Sequence, residues 1–144
     1  MRFHHAVLLL SIFNLSLGFV PSQGEALRAF RGFKREAVTE INSEADFDTT
    51  VKGAGDKLVV IDYSTTWCGP CKIIWPKFVE LSEEYKEAIF LKVTGDSSAD
   101  TNKLMKREGV RSVPAFHFWK GGKKVDMVNG ANVEALSTTL KDLA

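Results

Sequence analysis

Four consecutive apolar residues, Leu58-Val59-Val60-Ile61, constrain this chain more than any other feature. Three are β-branched and no polar residue alternates with them, so the strand they form needs cover on both faces. Such a strand belongs at the centre of a sheet with helices on either side, which makes the fold α/β. The flanking segments supply the other elements. Residues 38–41 read as a short strand and 43–52 as a helix capped by Asn42 or Ser43, broken by Gly53-Ala54-Gly55-Asp56. Residues 72–86 have helical composition, with Ile74, Phe78, Leu81 and Tyr85 along one face and Pro76 expected to kink it.

A further strand is expected over 88–93, a helix over 99–107 closed by Gly109, and a strand over 113–119 whose Phe116, Phe118 and Trp119 read as core. Gly121-Gly122 makes a tight hairpin into 124–128, and Val133, Leu136, Leu140 and Leu143 form one stripe of a last helix. The sum is a central sheet of about five strands flanked by about four helices. No repeat or low-complexity segment interrupts it. With 44 % hydrophobic and 26 % charged residues, the composition is that of one globular domain.

Residues 1–35 stand apart as a leader, leaving 36–144 as the domain. Arg2, His4 and His5 open a polar start, an apolar run follows from Ala6 to Leu17, and the run is too short to span a bilayer comfortably. Ser16 and Gly18 suit cleavage, and the next stretch is rich in Arg, Ser, Gly and Phe. The leader resembles the two-part signals of algae with secondary plastids, in which a signal peptide is cut before a Phe, as at Gly18-Phe19, and a transit segment follows. That resemblance implies a plastid, with the endoplasmic reticulum or secretion as the alternative.

The leader holds five basic residues against the acid Glu25, so the remainder carries 14 basic and 17 acidic residues, a net charge of −3. A mildly acidic domain is a poor partner for nucleic acid, which selects a basic face. Proteins are the expected partners.

Only two cysteines occur, in Trp67-Cys68-Gly69-Pro70-Cys71. A disulfide between them closes too short a loop to stabilise a fold much, so the pair reads as reactive. Zinc is the rival reading, but His4 and His5 lie in the leader and His117 stands alone in a strand, so two further ligands are missing. A strand ending near Tyr63, a short loop and a helix opening at the cysteines put Cys68 at a helix N-terminus. There the backbone N–H groups and the helix dipole stabilise a thiolate, lowering a thiol pKa from about 8.5 to roughly 7. Cys68 is then the exposed nucleophile and Cys71, one turn later and more buried, the resolving thiol.

Trp67-Cys68-Gly69-Pro70-Cys71-Lys72 resembles the active-site motif of thioredoxins, and the similarity runs from about Val38 to the C-terminus. The thioredoxin fold is therefore implied, with a central mixed sheet, and so is protein-disulfide reduction through a Cys68–Cys71 redox-active disulfide with no other cofactor and no metal. On this resemblance Asp62 is the buried acid that exchanges a proton with Cys71, and Lys92 the lysine beside it. Pro114 is the cis-proline facing the dithiol, Val113 offers its backbone to an extended substrate, and Gly130 lines the groove beside Trp67. Trp67, Gly69, Pro70, Val113, Pro114 and Gly130 are thus the implied substrate contacts. The implied partners are disulfide-containing proteins and a ferredoxin- or NADPH-linked reductase, with a monomer expected and no membrane attachment of the mature form.

The sequence departs from the family at Trp75, at Ser64 and at Gly95-Asp96, none expected to touch the mechanism, with Trp75 the one that could alter the choice of partner. Gly122 to Asp126 and Gly130-Ala131-Asn132 are closest to eukaryotic h- and f-type members, although the extra cysteine of f-type is absent. Two other functions share the fold, an oxidase or isomerase and a binding module without activity. Gly69-Pro70 between the cysteines favours the reductase, with a potential near about −270 mV rather than about −180 mV. Intact Cys68, Cys71, Asp62 and Pro114 disfavour the binding module.

Overall fold

The computed structural model describes residues 37–144, and the leader expected over 1–35 lies outside them. Among the described residues five strands and four helices alternate: β1 (Val38–Glu40), α1 (Glu44–Gly53), β2 (Val59–Ser64), α2 (Gly69–Glu84), β3 (Ile89–Thr94), α3 (Ala99–Arg107), β4 (Ala115–Lys120), β5 (Lys123–Asn129) and α4 (Val133–Leu143). The sheet order is β1-β3-β2-β4-β5, with β1, β3 and β2 parallel and β4 and β5 antiparallel. The apolar run lies in β2, the middle strand, all six residues of which are buried.

Alternation along β2 divides the core. Val59, Ile61 and Tyr63 pack with Phe47 and Val51 of α1 and Leu104 of α3. Val60 packs from the other face with Ile74, Phe78 and Leu81 of α2 and Leu136 and Leu140 of α4. Period two puts Asp62 on the same face as Val60, towards α2.

Local chemistry explains where the boundaries differ from expectation. α1 takes Ser43, not Asn42, as its cap, the hydroxyl accepting the Asp46 N–H at 3.1 Å. α2 opens at Gly69, ahead of its helix-favouring composition, because Cys68 caps it and Pro70 sits in the first turn, where a missing N–H costs nothing. It continues through Pro76 and ends at Glu84, two residues short of the expected end. Strand β4 starts at Ala115 rather than Val113, directly after a cis Val113–Pro114 peptide. Gly121 and Gly122, at φ +59° and +72°, both take the left-handed conformation that a primed two-residue hairpin requires.

Of the aromatic positions read in β4, Trp119 needs correction. Trp119 is only half-buried, its ring edge-on to Phe47 at 5.6 Å on the rim of the core. His117 is fully buried against the Tyr63 ring at 4.7 Å, and burial lowers its pKa to about 4, so it is uncharged at neutral pH.

Candidate active site

The β2–α2 junction brings the cysteines to one end of the sheet. Cys68 has extended backbone and caps α2, its sulfur accepting the Cys71 N–H at 3.2 Å. The two sulfurs are bonded, with the Cα atoms 5.3 Å apart. A sulfur in the N-cap position meets unpaired N–H groups and the positive end of the helix dipole, both of which favour its anion.

The expectation of an exposed Cys68 beside a more buried Cys71 is not met in this disulfide form. Cys68 is 2 % exposed and Cys71 5 %. The sulfur of Cys68 turns inward to bond Cys71 and to accept its N–H, which hides it from solvent. The exposed surface at this point belongs to its neighbours: Gly69 and Pro70 are open, and Trp67 and Ile73 expose 74 % and 79 % of their areas.

Asp62 is 2 % exposed and its Oδ1 has no hydrogen-bond partner. Burial raises its pKa to about 7, an effect that the Lys92 ammonium partly offsets. Asp62, Cys71, Lys92 and Trp75 line one cleft of about 490 Å³. A carboxyl with this acidity, beside a thiol that must lose a proton, is suited to general acid–base work near neutral pH.

The other expected contacts collect at the same end of the sheet through strand register. Ala115 opens β4 opposite Tyr63 near the end of β2, and opposite Asn129 at the end of β5. That places Pro114 and Gly130 side by side, the Gly130 N–H donating to the Pro114 carbonyl at 2.8 Å. Pro114 is buried and Val113 half-buried beyond the first ladder pair.

Asp96, set aside on sequence, acts directly on this region. Its carboxylate accepts the Thr66 N–H at 2.9 Å and also the Thr66 hydroxyl, and these bonds lower its pKa. Alongside, the Gly95 N–H donates to the Ser64 carbonyl at 2.9 Å. A Cβ at Gly95 would lie 1.6 Å from the Met105 sulfur, so any other residue there would require that flexible side chain to move aside. The turn therefore anchors the loop leading into Trp67 and Cys68. Thirty residues separate Thr66 from Asp96, and no local pattern in the sequence signals the contact.

Among the described residues no group of three or more His, Cys, Asp or Glu side chains is arranged to hold a metal, and no helix is long and apolar enough to cross a membrane.

The thioredoxin family model matches residues 38–142. The thioredoxin of Equus caballus is 45 % identical over 106 residues, covering 74 % of this chain and 98 % of its own. That of Homo sapiens is also 45 % identical over the same shares. Among solved structures, the short form of thioredoxin f from spinach chloroplast superposes with a TM-score of 0.69 at 42 % identity, over 74 % of this chain and 92 % of that one. A thioredoxin f2 structure in complex with ferredoxin:thioredoxin reductase gives a TM-score of 0.68 at 44 % identity, over 73 % and 93 %. Likeness to animal thioredoxins and to thioredoxin f together agrees with the eukaryotic h/f-like character of the sequence. The chain belongs to the thioredoxin family, and is a protein-disulfide reductase whose working group is the Cys68–Cys71 dithiol.

Proposed function

We propose that the two cysteines divide the reaction as follows. The Cys68 thiolate attacks one sulfur of a substrate disulfide, forming a mixed disulfide and expelling the first substrate thiolate. Cys71 gives its proton to the Asp62 carboxylate and attacks the Cys68 sulfur, which releases the second substrate thiolate and leaves Cys68–Cys71 oxidised. A reductase then returns two electrons, and Asp62 hands the proton back to Cys71. Trp67, Gly69, Pro70 and Gly130 form the apolar surround, and the Val113 backbone pairs with an extended substrate segment before the cis Pro114.

The observation that carries this reading is the Cys68 sulfur in the cap of α2, with Cys71 and the unpartnered Asp62 lining one cleft behind it. Alkylation of the reduced protein across pH tests it. Cys68 is expected to react with a midpoint near about 7, well before Cys71. A midpoint close to that of free cysteine, or equal rates for both thiols, would remove the assignment of roles.

Two observations support a plastid as the compartment. Thioredoxin f from spinach chloroplast is among the similar structures, and residues 1–35 have the composition of a signal followed by a transit segment. The chain works in a plastid on electrons from a ferredoxin-linked reductase, and residues 1–35 are removed from the working domain at 36–144. A fluorescent protein fused to residues 1–40 should enter plastids of an alga with secondary plastids. Retention in the endoplasmic reticulum, or secretion, would discard the plastid and its electron source together.

A further inference from the structure

Lys92 stands between two acids and pairs with neither. In the sheet it lies opposite Glu40 on β1 and opposite Asp62 on β2, the arrangement in which a lysine ordinarily bridges to a carboxylate. Yet the ion pairs among the described residues do not include it. Glu40 instead accepts the Thr94 hydroxyl at 3.0 Å, and the Asp62 Oδ1 is left without a partner. The Lys92 ammonium lies over the Trp75 ring, 4.3 Å from its centre. Trp75 is itself held in place by stacking on Phe78, with ring centres 5.9 Å apart. The negative face of an indole attracts a cation, and the four side chains Lys92, Trp75, Asp62 and Glu40 share one cleft.

We infer that Trp75 is a positioning residue for the dithiol reaction: by holding the Lys92 ammonium over its ring, it keeps that cation from closing an ion pair with Asp62. The proton exchanged with Cys71 then stays on a carboxyl that no neighbouring cation has made strongly acidic. This rests on the proton-transfer role proposed for Asp62, and it supplies the means by which the chain sets that group's acidity. The charged and titratable groups facing Asp62 in the cleft are Lys92 from β3, Glu40 from β1, and Cys71 and Lys72 from α2. Lys92 is the cation directly opposite it in the strand register. An ammonium released to within about 4–6 Å of a carboxylate lowers its pKa by one to three units.

The test is an NMR titration of the Asp62 carboxyl in the full chain in its disulfide form, for the parent, Trp75→Phe, Trp75→Leu, Lys92→Met and the double variant Trp75→Leu/Lys92→Met. Trp75→Leu should lower the Asp62 midpoint by about one pH unit. Trp75→Phe keeps an aromatic face and should shift it by less. In the Lys92→Met background, Trp75→Leu should have no effect, because no ammonium remains to be released. An unchanged midpoint in both single Trp75 variants overturns the inference. So does an equal shift with and without Lys92, which would mean that the indole acts only by excluding water. The Phe variant preserves most of the packing on Phe78, so the question can be answered even if the Leu variant does not fold. The titration reads the resting protein and does not depend on Asp62 taking part in turnover. That role is tested by the rate of the release step in Asp62→Asn.

Discussion

Replacing Asp62 with asparagine makes the folded protein more resistant to unfolding at pH 8 than at pH 4, relative to the parent. The raised pKa sets the sign. Burial lifts the folded pKa of Asp62 from 3.8 to about 7, while the unfolded chain keeps the ordinary value. Below pH 3.8 the carboxyl is neutral in both states and costs nothing. Between 3.8 and 7 the unfolded chain sheds its proton and the folded one retains it, so the folded state binds more protons and stability falls as pH rises. Above 7 the folded protein holds a buried, poorly compensated anion. A shift of this size corresponds to about 4 kcal/mol of stability lost over that interval.

Asparagine does not titrate, so the stability difference between variant and parent should move in the variant's favour by about that amount from pH 4 to pH 8. Denaturant midpoints at the two pH values measure it, and a difference independent of pH would show that Asp62 ionises normally. The same substitution should slow the release of substrate from the mixed disulfide at pH 7. The effect should be roughly tenfold or more, at or below the ~10²-fold end of general-base effects, since water in the open cleft can replace the carboxylate in part.

The second large effect concerns the cysteines. Cys68→Ser should abolish insulin reduction, because the hydroxyl that replaces the thiolate is no nucleophile towards sulfur at neutral pH. Cys71→Ser should also fail to turn over, but for a different reason. It still forms the mixed disulfide and then has no resolving thiol, so substrates remain covalently attached to Cys68 and can be recovered and identified. If Cys71→Ser accumulates no adducts while Cys68→Ser does, the roles of the two sulfurs are reversed. Neither change should cost much stability, since the bond joins cysteines with a sequence separation of 3 and constrains the unfolded chain little.

Much of this site could be read before any coordinates. A reactive cysteine pair at a strand-to-helix junction is a local matter, because Cys68, Gly69, Pro70 and Cys71 are neighbours in the chain and make up the helix start themselves. The central strand was equally legible, since apolar residues on both faces admit one position in a sheet. Asp62 was placed by its offset from Cys68 and by family resemblance. Its burial, which Lys92 offsets only in part, depends on β1, β3 and α2 closing around it. Trp75 and Asp96 were read as departures outside the mechanism, because their contacts are made to residues distant in the chain, Lys92 and Thr66.

What the sequence determined by itself was the order of elements, the centre of the sheet and the identity of the redox pair, each written in contiguous residues or in a period of two or four. Tertiary structure alone decided that Lys92 lies over Trp75 and pairs with neither Glu40 nor Asp62, how the turn at Gly95 and Asp96 grips the active-site loop, and how deeply both sulfurs are buried. Those properties depend on the solvent exclusion and the electrostatic field that several elements create together, and no single segment of the chain encodes them.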